Sequence, residues 1–462
     1  MKRYFLKSLI DWKSRNSRKP LIVRGARQVG KSHVIREFGK KYFADCLELN
    51  FEKSPELKDF FISQTPQKTI QLLETLFGKK IHPSETLLFL DEIQAAPEIL
   101  PKLRYFYEDM PEFPIICAGS LLDFILAQHD FSMPVGRIEY LHLGPLNFEE
   151  FLLALGETAL LDYLENYKIE EAIPKPLHNK LIEHVKTFCL VGGMPESVKT
   201  YAASHSFSDC GLINQNILAT YQDDFAKYGR KIDYALLRNT FRAVPNLIAE
   251  KTKYVKIDPH ARAKDVAKSL DLLGMARICT KVFHSSSNGV PLRAQIDPKT
   301  FKLLFVDVGL VSAACGLNLL DYEKAGDVQL VNQGKISEQF IGQHLLYAGP
   351  PYQEPELFYW TREQRNAAAE VDYVISLGAK TIPIEVKSGK TGSLKSLHLF
   401  VFEKNATVGV RFNSEPPLLT KVKTSLPEKN AEFSLISLPF YLVGQMPRLC
   451  SSLSTQPSTL HS

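Results

Sequence analysis

An eight-residue stretch near the amino end has the residue types needed to hold phosphate groups. It directly follows the apolar run Leu21-Ile22-Val23 and reads Gly25-Ala26-Arg27-Gln28-Val29-Gly30-Lys31-Ser32. The two glycines free the backbone to curl around a phosphate, and a helix that begins near Lys31 adds its positive end. Lys31 is expected to neutralise the β- and γ-phosphates, and Ser32 to hold Mg²⁺. The sequence therefore predicts that all eight residues form a nucleoside triphosphate site.

A second run supplies the complementary carboxylates. Thr86–Leu90 is apolar and ends in the pair Asp91-Glu92, a Walker B pattern. Asp91 is expected to bind Mg²⁺ through water, and Glu92 to polarise an attacking water. Alone, the pair could simply open a solvated loop. Next to a phosphate loop, the magnesium site is the better interpretation.

Four short apolar runs, separated by longer polar or helical stretches, indicate a parallel α/β sheet. They are Leu21–Val23, Asp45–Asn50, Thr86–Leu90 and Ile115–Ala118. Ligands of such sheets bind at the carboxyl ends of the strands, where both motifs fall. Ser120 follows the last run at the same edge. We expect it either to sense the γ-phosphate or to cap the next helix.

Length and composition indicate a multidomain globular protein. The chain has 462 residues and 45% hydrophobic content, enough for about three domains of ~150 residues. Its seven cysteines are scattered and never form CxxC, so neither a zinc site nor a disulfide framework is expected. The best membrane candidate, Phe301 to Leu320, is interrupted by Lys302 and Asp307. We therefore expect a soluble cytoplasmic protein.

Positive charge is concentrated in two segments, although the net charge is only +5. Residues 1–41 carry thirteen Lys and Arg against two acids, and residues 225–302 carry sixteen against six. A basic middle segment is typical of a nucleic-acid-binding module, because phosphate neutralisation dominates affinity. The alternative is an exposed basic face without a partner. We take DNA as the expected partner of segment 225–302.

The same segment has the element order of a winged helix. Leu236–Glu250 and Arg262–Leu273 have amphipathic helical spacing, and strand-like Ala276–Phe283 and Val290–Ile296 follow around a polar turn. Most basic side chains would contact phosphates without reading bases. Those on the second helix are Arg262, Lys264 and Lys268, and those flanking the wing are Lys281 and Arg293.

A second group of residues that could do chemistry lies near the carboxyl end, in two strand-like runs around Gly378. Alternation places Asp372 on one face with Glu370, and Glu385 on one face with Lys387. Two carboxylates can bind a divalent cation while a lysine orients or deprotonates water, as in metal-assisted phosphodiester hydrolysis. Glu370 could replace Asp372 as ligand. The alternative to a metal site is that the two strands simply expose these charged side chains to solvent.

The chain resembles the AAA+ ATPases, and more closely a prokaryotic family that couples such an ATPase to a carboxy-terminal domain of unknown function. The motifs that carry this resemblance are Gly25–Ser32, Asp91–Gln94, Ala118–Ser120, Gly136-Arg137, Leu146–Phe151, Gly192–Glu196 and Phe305–Leu310. The resemblance implies that Ser120 is a sensor and that Arg137 is an arginine-finger-like charge acting in cis or trans. A surface ion pair is the alternative for Arg137. The chain departs from the usual helix-turn-helix spacing at Ile257–Ala261.

The carboxy-terminal pattern resembles the restriction-endonuclease-like PD-(D/E)xK fold. In this resemblance Glu338, in the expected helix Ser337–Leu346, matches the acid of the first helix and joins Asp372 and Glu385 as a metal ligand. Lys387 takes the position of the catalytic lysine. The proline that usually precedes the first strand acid is missing before Asp372.

Together these patterns predict an α/β protein with a P-loop NTPase (AAA+) parallel sheet and a helical lid, followed by a winged helix and a restriction-endonuclease-like domain. The expected ranges are 1–140 for the ATP-binding core, 141–225 for the lid, 226–310 for the winged helix, 325–445 for the nuclease-like domain and 446–462 for a disordered tail. The expected function is Mg²⁺-dependent ATP hydrolysis coupled to DNA binding. The alternative is an ATP-binding regulatory or interaction module with an inactive nuclease-like domain. Both a monomer and a homo-oligomer are compatible with the sequence.

Two substitutions test the nucleotide site. Lys31→Ala is expected to abolish ATP binding, because the phosphate charge loses its cation, and Glu92→Gln is expected to trap ATP, because water activation is lost. Calorimetry with Mg-ATP and a phosphate-release assay measure the two effects. Retained turnover in both variants would refute the assignment.

Overall fold

The computed structural model describes residues 1–120, 122, 133–228, 233–316, 333–362, 369–387, 394–426 and 429–454. The chain divides into two compact units. The first comprises Met1–Pro145, Asp271–Ile278 and Gly349–Pro355, and the second comprises Leu146–Leu270, Cys279–Ala348 and Glu356–Ser462. Residues 317–320 of the membrane candidate and 455–462 of the expected tail lie outside the described residues.

The first unit contains a five-stranded parallel sheet. Its order is β2-β3-β4-β1-β5, with strands β1 (Leu21–Arg24), β2 (Asp45–Asn50), β3 (Thr86–Asp91), β4 (Ile115–Ala118) and β5 (Glu139–His142). The first four are the predicted apolar runs. Strand β5 was not predicted, because Glu139-Tyr140-Leu141-His142 is half polar and buries only its last two residues. An edge position beside β1 tolerates such a sequence.

Helices cover this sheet. Among the described residues before β5, the α-helices are Phe5–Ser14, Lys31–Tyr42, Asp59–Ile62, Pro66–Phe77 and Leu103–Asp109. Every residue of β3 is buried, as expected for a central parallel strand with both faces covered. The core between this strand and its neighbours is aliphatic and aromatic, and it includes Leu88, Leu90 and Phe106. This packing fixes the strand ends that carry the predicted site.

The second unit begins with a helical region. Its helices are Phe148–Ala154, Thr158–Asn166, Lys175–Val191, Pro195–Ser204 and Phe207–Asp223, followed by Tyr234–Leu247, Tyr254–Ile257 and Ala263–Met275, of which the last continues into the first unit. Residues 141–225, the range expected to form a helical lid, are thus largely helical. From Leu146 onward they belong to the unit that also contains the carboxy-terminal strands. Their role as a nucleotide lid stays a prediction.

An eight-stranded mixed sheet forms the rest of the second unit, in the order β12-β13-β11-β10-β9-β8-β6-β7. The strands are β6 (Cys279–Ser285), β7 (Ile296–Phe305), β8 (Phe358–Arg362), β9 (Ala369–Leu377), β10 (Lys380–Val386), β11 (Val408–Asn413), β12 (Leu418–Leu426) and β13 (Lys429–Pro439). The helices Val308–Ala314, Gln333–Leu346 and Lys395–Lys404 lie between them along the chain.

The hairpin expected to be a wing is part of this sheet. Strand β6 pairs with β7 on one side and with β8 on the other, so the predicted winged-helix and nuclease-like segments share one sheet. The second wing strand, expected at Val290–Ile296, is not a strand. Leu292–Gln295 forms a 3-10 turn, and β7 begins at Ile296.

The prediction that residues 446–462 form a disordered tail is wrong for the first half of this range. Met446–Ser454 is a helix. Met446, Leu449 and Cys450 are buried, because their spacing puts them on one helical face. Polar Ser and Thr residues around them concealed this short apolar stripe in the sequence.

The described part of the candidate membrane segment, Phe301 to Leu320, is divided between a strand and a helix. Phe301–Phe305 ends β7, and Val308–Ala314 is a separate helix. No helix within the described ranges combines the length and apolar character needed to cross a membrane.

Asp307, which interrupts that apolar run, is fully buried and joins two segments of the second unit. Its Oδ1 accepts the N–H groups of Gly309 and Leu310 at 2.9 and 3.3 Å, which caps the helix Val308–Ala314. Its Oδ2 accepts the N–H of Gly193 at 2.7 Å. A Cβ on Gly192, whose φ is +80°, would lie 2.0 Å from Oδ1. Glycine at position 192 is therefore required for the close approach of this carboxylate.

Replacing Asp307 tests the importance of this junction. We expect Asp307→Ala to lower the free energy of unfolding by about 2–3 kcal/mol, because buried N–H groups lose their acceptor. Asp233→Ala is the matched control: Asp233 is exposed and caps the helix Tyr234–Leu247 through the N–H of Leu236 at 3.0 Å. Its loss should cost about 1 kcal/mol. Urea denaturation measures both, and equal losses would contradict the role of Asp307.

Candidate nucleotide site and carboxylate cluster

The glycine-containing loop between β1 and the helix Lys31–Tyr42 is curled as predicted. Three of its residues have positive φ, namely Gly25 at 153°, Gln28 at 64° and Gly30 at 92°. Gln28 is unusual among them, because a side chain rarely adopts this region. The helix begins directly after Gly30, so its positive end faces the loop. The backbone therefore has the shape and polarity of an anion cradle.

Lys31 lies inside this curl. Its ammonium donates to the carbonyl oxygens of Gly25 and Ala26 at 2.9 and 2.8 Å. Burial lowers the pKa of Lys31 to about 8, an effect that Arg27 reinforces and that the carboxylates of Glu92 and Asp91 oppose. A phosphate is the natural partner for this buried cation.

Sequence reasoning missed a residue that supports the loop from outside. The guanidinium of Arg3 is buried and donates to the carbonyl oxygen of Val29 at 2.9 Å and to that of Gly144 at 2.7 Å. It therefore joins the loop to the segment after β5. Gly25 packs against the same segment, since a Cβ there would lie 2.2 Å from the carbonyl oxygen of Leu143. Nothing in the local sequence of Arg3 signals this contact.

The predicted magnesium ligands lie together. The hydroxyl of Ser32 donates to Oδ1 of Asp91 at 2.8 Å. Oδ2 of Asp91 accepts from the amide of Asn50 at 3.2 Å and from Arg36 at 3.3 Å. Burial raises the pKa of Asp91 above its ordinary value, although the hydrogen bond from Ser32 opposes this. Hydroxyl and carboxylate oxygens are the ligands that Mg²⁺ prefers, so the donor set fits this ion. The supporting roles of Asn50 and Arg36 were not predicted.

Glu92 follows Asp91 at a strained position with φ of 54°. The amide of Gln94 donates to Oε2 of Glu92 at 2.5 Å. The other end of that amide lies against the loop after β4, because a Cβ on Gly119 would be 2.2 Å from Oε1 of Gln94. Ser120, the next residue, is buried at this edge. Gln94 thus links the predicted base to the predicted sensor segment. Gln94 is part of the motif Asp91–Gln94, but the sequence predicted no role for it.

Arg137 lies elsewhere. It precedes β5, whose first residue, Glu139, pairs with Leu21 at the amino end of β1. The phosphate loop follows the carboxyl end of β1, so the strand, on the order of 10 Å long, separates the two. The guanidinium of Arg137 pairs with Glu108 at 2.9 Å. This geometry does not support an arginine finger in cis, and a role in trans stays a prediction.

The second predicted site lies in the second unit. Strands β9 and β10 pair antiparallel, with Tyr373 opposite Ile384. The N–H of Val386 donates to Oδ2 of Asp372 at 2.8 Å. Lys387 pairs with Oε1 of Glu385, whose buried Oε2 has no hydrogen-bond partner within the described residues. Asp372, Glu385 and Lys387 are thus adjacent, as strand alternation predicted.

A lysine that the sequence did not assign to this site completes the cluster. Nζ of Lys302, on β7, lies 2.5 Å from Oε1 of Glu370 and 3.5 Å from both Oε2 of Glu338 and Oδ1 of Asp372. The helix Gln333–Leu346 carries Glu338 into this group. Glu370, the alternative ligand, is therefore an ion-pair partner of Lys302.

The charges of this cluster affect one another strongly. Burial lowers the pKa of Lys302, but Glu338, Asp372 and Glu370 outweigh it and hold the pKa well above its ordinary value. Burial and the neighbouring acids raise the pKa of Glu338 to about 8, while Lys302 opposes them. The pKa of Glu385 rises to about 7 through burial and Asp372.

Across the described parts of the chain, no group of three or more His, Cys, Asp or Glu side chains is arranged to hold a metal ion.

The basic side chains predicted to contact DNA fall into two groups. Arg262, Lys264 and Lys268 are exposed at and along the helix Ala263–Met275, although Arg262 pairs with Asp265 at 2.9 Å. Lys281 instead lies 5.8 and 5.5 Å from the ring centroids of Tyr254 and Phe301, and Arg293 pairs with Glu356. The helix therefore offers more available positive charge than the hairpin.

The buried cation of the phosphate loop predicts a pH dependence of ATP binding. Because the pKa of Lys31 is about 8, the ammonium loses its proton as pH rises through that value, and triphosphate affinity should fall. We expect a roughly tenfold loss between about pH 7 and pH 9. Lys31→Arg is the matched control, since its guanidinium stays charged. Calorimetry with ATP measures both profiles, and parallel losses in the two proteins would contradict the role of Lys31.

Comparisons with known proteins bear on this geometry. Three family models match: an AAA domain over residues 17–152, "Domain of unknown function (DUF8612)" over residues 182–321 and "Domain of unknown function (DUF4143)" over residues 333–441. No curated protein matches the chain significantly.

Several solved structures are similar in part. A Walker-type ATPase of Pyrococcus abyssi shares 14% identity at a TM-score of 0.43, over 68% of this chain and 95% of that one. The ORC2 protein of Aeropyrum pernix shares 12% identity at a TM-score of 0.33, over 70% and 92%. The RuvB Holliday junction branch migration motor of Thermotoga maritima shares 14% at 0.28, over 61% and 90%. Similarities this distant carry no functional information. The AAA family match and the P-loop with its Walker B strand together identify the amino-terminal part of this chain as an AAA-type P-loop ATPase domain.

Proposed function

We propose that this protein is a Mg²⁺-dependent ATPase whose nucleotide state controls DNA binding by its second unit. The observation that carries the proposal is the pair Ser32 and Asp91, whose oxygens lie 2.8 Å apart beside the curled loop. A hydroxyl and a carboxylate at this spacing, next to an anion cradle, are suited to a cation that accompanies a triphosphate.

The residues of the first unit have separate tasks in ATP hydrolysis. Lys31 neutralises charge on the terminal phosphates, Ser32 and Asp91 hold Mg²⁺, and Glu92, oriented by Gln94, polarises the attacking water. When bound, Mg²⁺ held by Ser32 and Asp91 would supply positive charge that offsets the negative charge of the terminal phosphates. Arg36 and Asn50 keep Asp91 in place from its other side. In this proposal Ser120, in the loop after β4 at the same edge, senses the γ-phosphate.

The second half of the proposal is DNA binding through the helix Ala263–Met275. Arg262, Lys264 and Lys268 are exposed and within two turns of one another, so they can contact successive phosphates. Lys281 and Arg293 would support the contact less, because both are engaged with neighbouring side chains. Such contacts position a duplex without selecting its sequence.

A second candidate function is favoured by Lys302, which pairs with the acids of the nuclease-like cluster. In this alternative ATP is bound as a slow switch, and the carboxy-terminal region only docks a partner or DNA. Stimulation of ATP turnover by duplex DNA distinguishes the two. DNA binding without stimulation favours the slow switch.

The experiment compares the wild type with the triple variant Arg262→Ala/Lys264→Ala/Lys268→Ala. We expect DNA affinity to fall at least tenfold and the salt slope of binding to decrease by about 2–3, because three phosphate contacts are lost. Fluorescence anisotropy over a salt series measures binding, and phosphate release measures turnover with and without DNA.

The matched control removes the same charge from another part of the second unit, through Lys168→Ala/Lys175→Ala/Lys180→Ala. These three lysines are also exposed, although Lys180 pairs with Glu157. Equal loss of DNA affinity in both triple variants would show that binding depends on net charge alone and would contradict the proposed interface.

A further inference from the structure

Lys302 lies against two of the three acids predicted to hold the divalent cation of the nuclease-like cluster. Its ammonium is 2.5 Å from Glu370, and Glu338 and Asp372 each lie 3.5 Å away. These three acids come from a helix and a strand that were expected to direct carboxylates at a metal. They meet a lysine instead.

The ammonium cannot move out of the cluster easily. The side chain of Lys302 is 2% exposed. Strand β7 is held by its pairing with β6, where Lys302 is opposite Val282. The ring centroid of Tyr359 lies 5.4 Å from Nζ, which adds a favourable cation–π contact. Lys302 is therefore a fixed part of the protein interior, compensated by the acids around it.

A divalent cation does not fit beside this ammonium. Two positive ions among the same carboxylates would repel each other in a site with little access to water. The oxygens of Asp372 are also engaged, Oδ2 by the N–H of Val386 and Oδ1 by Lys302. Oε1 of Glu385 accepts from Lys387. Of the four oxygens of Asp372 and Glu385, only Oε2 of Glu385 has no partner within the described residues, and one carboxylate oxygen does not hold Mg²⁺ tightly.

We propose that Lys302 is a built-in cation that replaces the metal of this cluster. Metal-dependent phosphodiester cleavage at this cluster is thereby lost. This inference goes beyond the proposed function, and neither ATP hydrolysis nor DNA binding depends on it.

The first test uses the full chain without nucleotide, after treatment with EDTA, and MnCl₂ as the probe. The electron paramagnetic resonance signal of free Mn²⁺ gives the number of ions bound per chain. We expect the wild type, Asp372→Asn and Glu385→Gln to bind the same number, because the cluster holds none. One more Mn²⁺ in the wild type than in either variant would overturn the proposal.

The second test removes the internal cation. Lys302→Met keeps the length of the side chain without its charge, and we expect it to bind one Mn²⁺ more than the wild type. The double variant Lys302→Met/Asp372→Asn should lose that ion. Lys299→Met is the matched control, because Lys299 is an exposed lysine of the same strand. A folded Lys302→Met protein that gains no ion would contradict the proposal.

Where Lys302→Met does not fold, the comparison of the wild type with Asp372→Asn still decides the question. A plasmid-nicking assay of the wild type with Mg²⁺ or Mn²⁺ adds an independent readout, for which we expect no cleavage. Nicking that disappears in Glu385→Ala would overturn the proposal. ATP turnover and DNA anisotropy are measured separately, so failure of the proposed function is distinguishable from failure of this inference.

Discussion

Burial of charged side chains is the constraint on which both units of this protein depend. An ionised group without partners is very costly in a protein interior, so each buried charge must be surrounded by groups that compensate it. Lys31 contacts two backbone carbonyls, Asp307 accepts three backbone N–H groups, and Lys302 lies among three carboxylates. These contacts fix the phosphate loop, the Gly192-Gly193 junction and the carboxylate cluster, respectively.

In the first unit this constraint holds the residues of the candidate nucleotide site in fixed positions. The loop backbone holds three residues in the left-handed region, which needs support from outside the loop. Arg3 provides this support by bonding the loop to the segment after β5. Asp91 is likewise held by Asn50 and Arg36 on one oxygen, so the other oxygen stays directed at Ser32. The loop and the acid are therefore preorganised by residues that lie outside both sequence motifs.

In the second unit the same constraint turns a cluster of catalytic residue types into an internal salt-bridge network. The hairpin β6–β7 belongs to the same sheet as β9 and β10, and this continuity lets Lys302 reach the acids of β9. A hairpin that stood apart as an independent wing would have left those carboxylates to attract a metal. The fusion of the two segments in one sheet thus gives a physical reason for the lysine that we propose takes the place of the metal.

The sequence by itself determined the features whose cause is local. The phosphate loop, the Walker B strand and the pairing of β9 with β10 depend on glycine placement, apolar runs and alternation within a few residues, and the family match and strand pairing agree with them. Only the tertiary structure decided which distant partner each charge meets. It placed Arg137 at the far edge of the sheet, bonded Arg3 to the loop and brought Lys302 to Glu370. The half-polar strand β5 and the helix Met446–Ser454 also depend on neighbours that cover them. Such partners are separated by tens to hundreds of residues, so no local pattern encodes them.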